Sequence, residues 1–242
     1  MKICVFDNLE EISKEAFRLV FEQIKQKKNT SLGLATGSSP IGLYKLMIEA
    51  YRNNELDFSE VSTYNLDEYI GVPKENKNSY WYFMNENLFK HINIKKDNCH
   101  IPNANSSDII KECFNYDKTI EKIGGVDIQI LGIGRNGHIG FNEPGSDFKS
   151  KTWIVDLKRE TIEDNSRFFK NKDLVPTKAI TMGISTIMSA KKIILLAYGK
   201  KKQEAIKKMI YGEVTEKVPA SVLQMHNNVT VLVDKDAAKL IE

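Results

Sequence analysis

Apolar runs and amphipathic segments alternate along the whole chain. The short apolar runs have the composition of buried strands: "KICVF", "SLGLAT", "VSTYNL", "VDIQILG", "KIILLAYG" and "VTVLVD". The segments between them have helical spacing. The clearest, from Leu9 to Lys28, places five apolar side chains on one helical face: Ile12, Ala16, Leu19, Val20 and Ile24. This alternation predicts a mostly parallel sheet with helices on both faces.

The remaining segments continue the same α/β pattern. A shorter strand is predicted at "TWIVDL", and helices are predicted at "PIGLYKLMIEAYR", at about 78–91, 107–123, 182–190 and 200–211, and at the C-terminus. No linker rich in Pro, Gly or Ser divides the sequence, so we expect a single domain over residues 1–242. In such sheets ligands bind beyond the carboxyl ends of the strands, which makes the loops after strands the informative ones.

Composition excludes several classes of protein. The 35 Lys and Arg residues against 32 Asp and Glu give a net charge of +3, with both signs interspersed, which argues against a nucleic-acid partner. The three cysteines form no C-x-x-C pair, so neither a disulfide framework nor a structural zinc site is predicted. The N-terminus lacks a signal-peptide pattern, and no apolar run approaches the roughly 18 residues of a membrane span. We therefore expect a cytoplasmic protein.

The first informative loop is "LATGSSPIGLY". Gly37 permits a tight turn, Ser39 suits the N-cap of the following helix, and Pro40 suits the first helical position. Free N–H groups at the helix start, with the hydroxyls of Thr36 and Ser38, would form an anion site. The Walker A pattern is absent. The alternative is an ordinary capped turn.

The second loop, "YNLDEYIGV", places two acids directly after an apolar strand. Asp67 and Glu68 could supply a catalytic base, a metal ligand or a helix cap, or could be surface acids near a turn. A carboxylate base gains basicity when water is excluded. The neighbouring Tyr64, Tyr69 and Ile70 could provide the apolar wall that excludes it.

The third loop, "LGIGRNGHIGFNEPG", follows the strand "VDIQI" and contains G-x-G-x-x-G from Gly132 to Gly137. Asp156, about 20 residues on, lies where a dinucleotide-binding protein has its ribose ligand. The fingerprint also needs an amphipathic helix beginning at the glycines. The stretch "HIGFNEPGSD", with Pro144 and flanking glycines, disfavours such a helix.

The same loop fits acid–base chemistry better. Histidine is the side chain suited to proton transfer near neutral pH. Glu143 could orient His138, and Asn136 could hydrogen-bond it; the alternative is a core histidine beside a turn acid. Because all three loops open on one edge of the sheet, we expect a shared site. The acids and the histidine match no standard metal motif, and no cysteine lies in these loops, so we predict neither a metal site nor a thiol nucleophile.

These motifs identify a family resemblance. In order along the chain, "LGLATGSSPIGLYK", "NLDEYIGV", "LGIGRNGHIGFNEPG", "NSRFF" and "YGKKKQEAI" resemble the glucosamine-6-phosphate deaminases. The related 6-phosphogluconolactonases share the sheet and comparable loops, and Glu143 is the residue that most separates the two. A sugar-phosphate-binding regulator without turnover and a dinucleotide-binding protein stay open as alternatives.

The resemblance implies a Rossmann-like domain that converts D-glucosamine 6-phosphate and water to D-fructose 6-phosphate and ammonia without an organic cofactor. It implies that Asp67 removes the C2 proton and that His138 opens the sugar ring. Glu143 and Asn136 would fix the orientation of His138. The glycines would leave room for an open sugar chain beside His138.

The resemblance also implies the phosphate ligands, which are Thr36, Gly37, Ser38, Ser39, Arg167 and Lys202. The polar segment 157–173 would be a lid that carries Arg167 and closes over the substrate.

Two features depart from some members of the family. Position 136 is Asn where others have Asp, so ring opening would rely more on Glu143. The stretch "KTWIVD" has Trp153 and Val155 where the allosteric members have basic residues, and the chain ends at Glu242. We therefore predict no activation by N-acetylglucosamine 6-phosphate, and a monomer.

Overall fold

The computed structural model describes residues 1–157 and 176–241, and strands and helices alternate through both ranges. The strands are β1 (Lys2–Phe6), β2 (Ser31–Leu34), β3 (Ser62–Asn65), β4 (Asp67–Tyr69), β5 (Cys99–His100), β6 (Ile128–Leu131), β7 (Trp153–Asp156), β8 (Lys178–Thr181), β9 (Ile193–Ala197) and β10 (Val229–Asp234). The helices are α1 (Leu9–Gln26), α2 (Ile41–Arg52), α3 (Tyr80–Asn87), α4 (Ile109–Lys122), α5 (Ile184–Met188), α6 (Gln203–Tyr211) and α7 (Lys235–Ala238). Short 3₁₀ helices lie at Phe89–His91, Lys96–Asn98, Lys200–Lys202 and Pro219–Met225.

Seven of the strands in the described residues form one sheet, in the order β1-β10-β9-β6-β2-β3-β5, and each neighbouring pair is parallel. Successive residues of a strand point to opposite faces, and strands β2, β6 and β9 are buried on both. Ile194 of β9 packs with α1 and α2, whereas Ile193 and Leu195 pack with α4, α5 and α6. The predicted α/β architecture, mostly parallel with helices on both faces, is confirmed.

A second, three-stranded sheet was not predicted from the sequence. Its order is β4-β8-β7, and both pairs are antiparallel. "TWIVDL" was correctly predicted as a strand, but the acids of "DEY" were assigned to a loop, and that assignment is wrong: Asp67–Tyr69 is β4. A strand of three residues with two acids has no apolar alternation to reveal it, and only pairing with β8 creates it.

The start of α2 also differs from the prediction. The helix begins at Ile41, with Pro40 at the N-cap position and without a side-chain cap. The carbonyl of Pro40 already accepts the first helical hydrogen bond, from the amide of Tyr44. The prediction that Ser39 is the N-cap is therefore wrong by one residue.

The carboxylate of Asp127, directly before β6, is buried and forms ion pairs and hydrogen bonds with residues from other parts of the chain. The carboxylate of Asp127 accepts hydrogen bonds from Lys27, Lys191 and Ser31. Burial alone would raise the pKa of Asp127, but these partners outweigh burial and hold the pKa well below its usual range.

Within the described residues, none of the helices has the length and the apolar composition that a membrane span requires.

Candidate active site

A cavity of about 1010 Å³ opens at the carboxyl ends of β2, β3, β6 and β9. Each of the three loops selected from the sequence contributes to its wall. The lining includes residues 36–39 after β2, Asp67, residues 132–135 and His138 after β6, and residues 198–202 after β9. Parallel strands deliver their following loops to one edge of the sheet, so this convergence follows from the topology.

Asp67 lines the cavity. It begins β4, opposite Thr181 of β8, and is only 7% exposed. Burial, and secondarily the charge of Glu68, raise the pKa of Asp67 from 3.8 to about 8. A carboxylate in this position is a stronger base than one in water.

Glu68 has a different role from its neighbour. Its Oε1 accepts hydrogen bonds from the amides of Tyr69 and Tyr80, both at 2.9 Å, and its Oε2 accepts one from the amide of Trp81 at 2.9 Å. The bonds from Tyr80 and Trp81 satisfy free N–H groups at the start of α3. Burial still raises the pKa of Glu68 against these bonds. Of the roles left open for this residue, the geometry selects the helix cap.

Asn136, His138 and Glu143 form one hydrogen-bonded cluster. The amide nitrogen of Asn136 donates to Glu143 Oε2 at 2.7 Å, and its oxygen lies 2.8 Å from Nδ1 of His138. Glu143 Oε1 lies 3.5 Å from the same Nδ1. Because a carboxylate only accepts, the amide nitrogen faces Glu143 and the amide oxygen faces His138, so Nδ1 carries the proton. In the neutral imidazole this leaves the lone pair on Nε2.

Two glycines of the loop serve different purposes. A Cβ on Gly134 would lie 2.2 Å from Cε1 of His138, whereas a Cβ on Gly132 would meet nothing within 4 Å. Gly134 therefore makes room for the imidazole ring. Both glycines line the cavity, but the imidazole fills the space above Gly134, so of these two only Gly132 agrees with the expectation that the glycines leave room for the sugar.

The predicted apolar wall beside Asp67 is correct for one of three residues. Tyr69 lines the cavity with Tyr80 and Phe141, and the hydroxyls of Tyr69 and Tyr80 are 3.0 Å apart. Tyr64 instead stacks on His100, with ring centroids 4.6 Å apart, and Ile70 packs in a separate apolar cluster. Tyr80 and Phe141 were missed because only the folded chain brings them next to Tyr69.

The cavity wall also carries hydroxyls and cations. Thr36, Gly37, Ser38 and Ser39 line it, as does Lys202, whose ammonium group donates to the carbonyl of Ile133. Sequence reasoning missed Tyr198, whose hydroxyl is 2.8 Å from Oγ of Ser38. Its position at the end of an apolar strand, just before Gly199, was the available signal. Arg167 and nearly all of the predicted lid lie outside the described residues.

The donor groups of the site do not form a metal cage. Within residues 1–157 and 176–241, no group of three or more His, Cys, Asp or Glu side chains is arranged to hold a metal ion.

Comparison with known families decides the relationship. The family model described as "Glucosamine-6-phosphate isomerases/6-phosphogluconolactonase" matches residues 7–232. The chain belongs to this family. The match spans the three-stranded sheet, the large sheet apart from β1 and the last residues of β10, and all three loops of the cavity.

Individual relatives agree with this membership. The chain is 57% identical over 241 residues to the glucosamine-6-phosphate deaminase of Thermoanaerobacter sp. (strain X514), covering 100% of this chain and 95% of the relative. It is 56% identical over 238 residues to that of Clostridium novyi (strain NT), covering 98% and 99%.

Solved structures give the same relationship. A structure described as a monomeric glucosamine-6-phosphate deaminase superposes with a TM-score of 0.96 at 47% identity, covering 99% of this chain and 100% of that one. The 6-phosphogluconolactonase of Trypanosoma brucei shares the fold, with a TM-score of 0.80 at 20% identity over 100% and 98% of the two chains.

We expect Asp67→Asn to change how stability depends on pH. Below pH 4 the carboxyl of Asp67 is protonated in both the folded and the unfolded chain. Between pH 4 and about 8 the unfolded chain ionises first, because the folded pKa is raised to about 8, so the native protein loses stability as pH rises. The Asn variant lacks this loss. Its melting temperature relative to the native protein should rise between pH 4 and 8 and then level off.

Thermal melts across this pH range, with the exposed Asp97→Asn as control, measure the difference. A difference for Asp67→Asn that stays constant with pH would contradict the raised pKa.

We expect Gly134→Ala to displace the imidazole of His138, because its Cβ would overlap the ring. Gly132→Ala is the matched control, since neither glycine has a positive φ and the Gly132 Cβ would enter open space. The chain has four histidines, so imidazole ¹H–¹⁵N NMR spectra can follow the His138 signal. A His138 signal that moves equally in both variants would refute the proposed contact.

Proposed function

We propose that this chain converts D-glucosamine 6-phosphate and water to D-fructose 6-phosphate and ammonia. The observation that carries the proposal is the pairing of two groups on one cavity wall. Asp67 is a buried carboxylate with a raised pKa, and His138 presents Nε2 while Asn136 and Glu143 hold its other nitrogen. Hydroxyls and lysines on the wall of the same cavity supply a phosphate site.

Ring opening is the first proposed step. Nε2 of His138 takes the proton from the O1 hydroxyl and gives a proton to the ring oxygen, which breaks the C1–O5 bond. Glu143 lies 3.5 Å from Nδ1 and stabilises the imidazolium that forms in between. Asn136 holds the ring in the tautomer that leaves Nε2 free to accept.

Isomerisation and deamination follow. The carboxylate of Asp67 removes the C2 proton. The electron pair forms a C1–C2 double bond while the C1–O1 π bond breaks, and O1 takes the proton that the substrate's ammonium group releases, which gives an enolamine. Return of a proton to C1 gives an imine at C2. Water adds to C2, the C–N bond breaks, and ammonia leaves with the formation of the ketone. Burial of Asp67 favours the first of these transfers because it raises the basicity of the carboxylate.

The phosphate positions C2 against the base. Thr36, Gly37, Ser38 and Ser39 offer hydroxyls and backbone amides, and Lys202 adds a positive charge. Binding energy from this remote group is what orients the reacting carbon. Arg167 is proposed as a further ligand on the family resemblance alone.

The oligomeric state and the cellular location are also proposals. We infer a monomer, in line with the 47% identical structure that is described as monomeric. The single domain over residues 1–242, the cytoplasmic location and the absence of activation by N-acetylglucosamine 6-phosphate stay predictions of the sequence.

The expected activity is release of ammonia from glucosamine 6-phosphate, followed by an assay coupled to glutamate dehydrogenase. Asp67→Asn should lower kcat by about 10²–10⁴-fold, the usual contribution of a positioned base. Asp97→Asn, an exposed acid-to-amide change, should retain the native rate.

The same preparation should not accelerate hydrolysis of 6-phosphogluconolactone. Ammonia release that is absent, or that is unaffected by Asp67→Asn, would contradict the proposal. Lactone hydrolysis in place of ammonia release would favour the other activity of the family.

A further inference from the structure

The loop that carries His138 and Glu143 is fastened to the small sheet at several points. The amide of Phe141 donates to Oγ1 of Thr181 at 3.1 Å. The side-chain nitrogen of Asn142 donates to the carbonyls of Ile139 at 3.0 Å and Met182 at 2.9 Å. The loop is therefore tied to the end of β8, the strand that pairs with β4.

Asn142 is the centre of these contacts. It is 0% exposed, and its Oδ1 accepts a hydrogen bond from the indole nitrogen of Trp153 at 3.1 Å. Its side chain thus bridges the His138 loop, the end of β8 and strand β7. The bonding capacity of the amide is used at both ends, as burial requires.

Trp153 selects the orientation of this amide. An indole N–H only donates, so the oxygen of Asn142 must face Trp153, and the nitrogen then faces the two carbonyls. The reversed amide would place N–H against N–H and oxygen against two carbonyl oxygens. The indole donor on β7 and the two carbonyls therefore favour the same orientation of the amide that attaches the loop to β8.

The orientation of Asn142 bears on the positions of both His138 and Asp67. Asn142 directly precedes Glu143, which binds Asn136 and lies beside His138. On the other side, Thr181 is the cross-strand partner of Asp67. The tie to β8 thus sets the position of the His138 loop relative to Asp67.

We propose that Asn142 is a positioning residue that holds the His138 loop in register with Asp67, and that Trp153 fixes Asn142 in its working orientation. This inference rests on the proposed function, in which His138 and Asp67 act on neighbouring atoms of one substrate. Small displacements of catalytic groups reduce rates strongly, so a tie that is remote from the substrate affects turnover. The phosphate end of the cavity, formed by residues 36–39 and Lys202, is not part of this tie.

The test is Trp153→Phe, which keeps an aromatic ring and removes the N–H donor. Trp153 is 39% exposed, so the change leaves most of the core intact. We expect kcat for glucosamine 6-phosphate to fall about five-fold, the effect of one neutral hydrogen bond. KM should stay at the native value. A merely structural weakening would not separate kcat from KM in this way.

Trp81→Phe is the matched control, because Trp81 is the other tryptophan of the chain, and its ring lies against Phe89, away from Asn142. It should retain the native kcat. Asn142→Asp loses both donations to carbonyls and should lower kcat more than Trp153→Phe does. Adding Trp153→Phe to Asn142→Asp should lower kcat little further, because a carboxylate has two equivalent oxygens and no amide orientation for the indole to select.

The outcomes separate the two proposals. If the native protein releases no ammonia, the proposed function fails. If the native protein is active and Trp153→Phe has the native kcat, raises KM instead, or behaves like Trp81→Phe, the positioning role is wrong. If Asn142→Asp does not fold, the comparison of the two tryptophan variants still decides the question.

Discussion

The antiparallel pairing of β4 with β8 is the constraint on which the candidate site depends. It places Asp67 opposite Thr181, and the amide of Met182 donates to the carbonyl of Leu66 at 2.6 Å. Thr181 and Met182 in turn hold the loop that carries His138. The large parallel sheet brings the loops to one edge, but the small sheet sets the distance between the proposed base and the proposed ring-opening histidine.

The adjacent carboxylates of Asp67 and Glu68 have different roles because they lie on opposite faces of strand β4. Successive side chains of a strand point in opposite directions, so Asp67 faces the cavity and Glu68 faces the start of α3. Backbone amides satisfy Glu68, whereas burial raises the pKa of Asp67 to about 8. A buried carboxylate with a raised pKa lowers the free energy of unfolding at neutral pH. Such a loss of stability is common in sites that need a reactive group.

The spacing of apolar residues in the sequence predicted those strands and helices that have a regular apolar pattern of their own. Six of the seven strands of the large sheet, the long helix Leu9–Gln26 and the convergence of three loops follow from apolar spacing and turn residues, whereas the two-residue strand β5 was not predicted. The contact among Asn136, His138 and Glu143 was also predictable, because the three residues lie within one tight loop. Their roles in catalysis stay proposals.

The rest depends on contacts between distant parts of the chain. Strand β4 exists because β8, more than 100 residues later, pairs with it, and neither has a pattern of its own. The capping by Glu68 and the link from Trp153 to Asn142 arise in the same way. The dinucleotide reading of the glycine-rich loop fails for a local reason: the ring of His138 occupies the space above Gly134.

The most direct test of this account is the crystal structure of Asp67→Asn with glucosamine 6-phosphate bound. The account predicts the phosphate against residues 36–39 and Lys202, and C2 within about 3.5 Å of the side chain at position 67. It also predicts Nε2 of His138 within hydrogen-bond distance of O1 or the ring oxygen. A sugar bound in the reverse direction, or with C2 turned away from position 67, would contradict it.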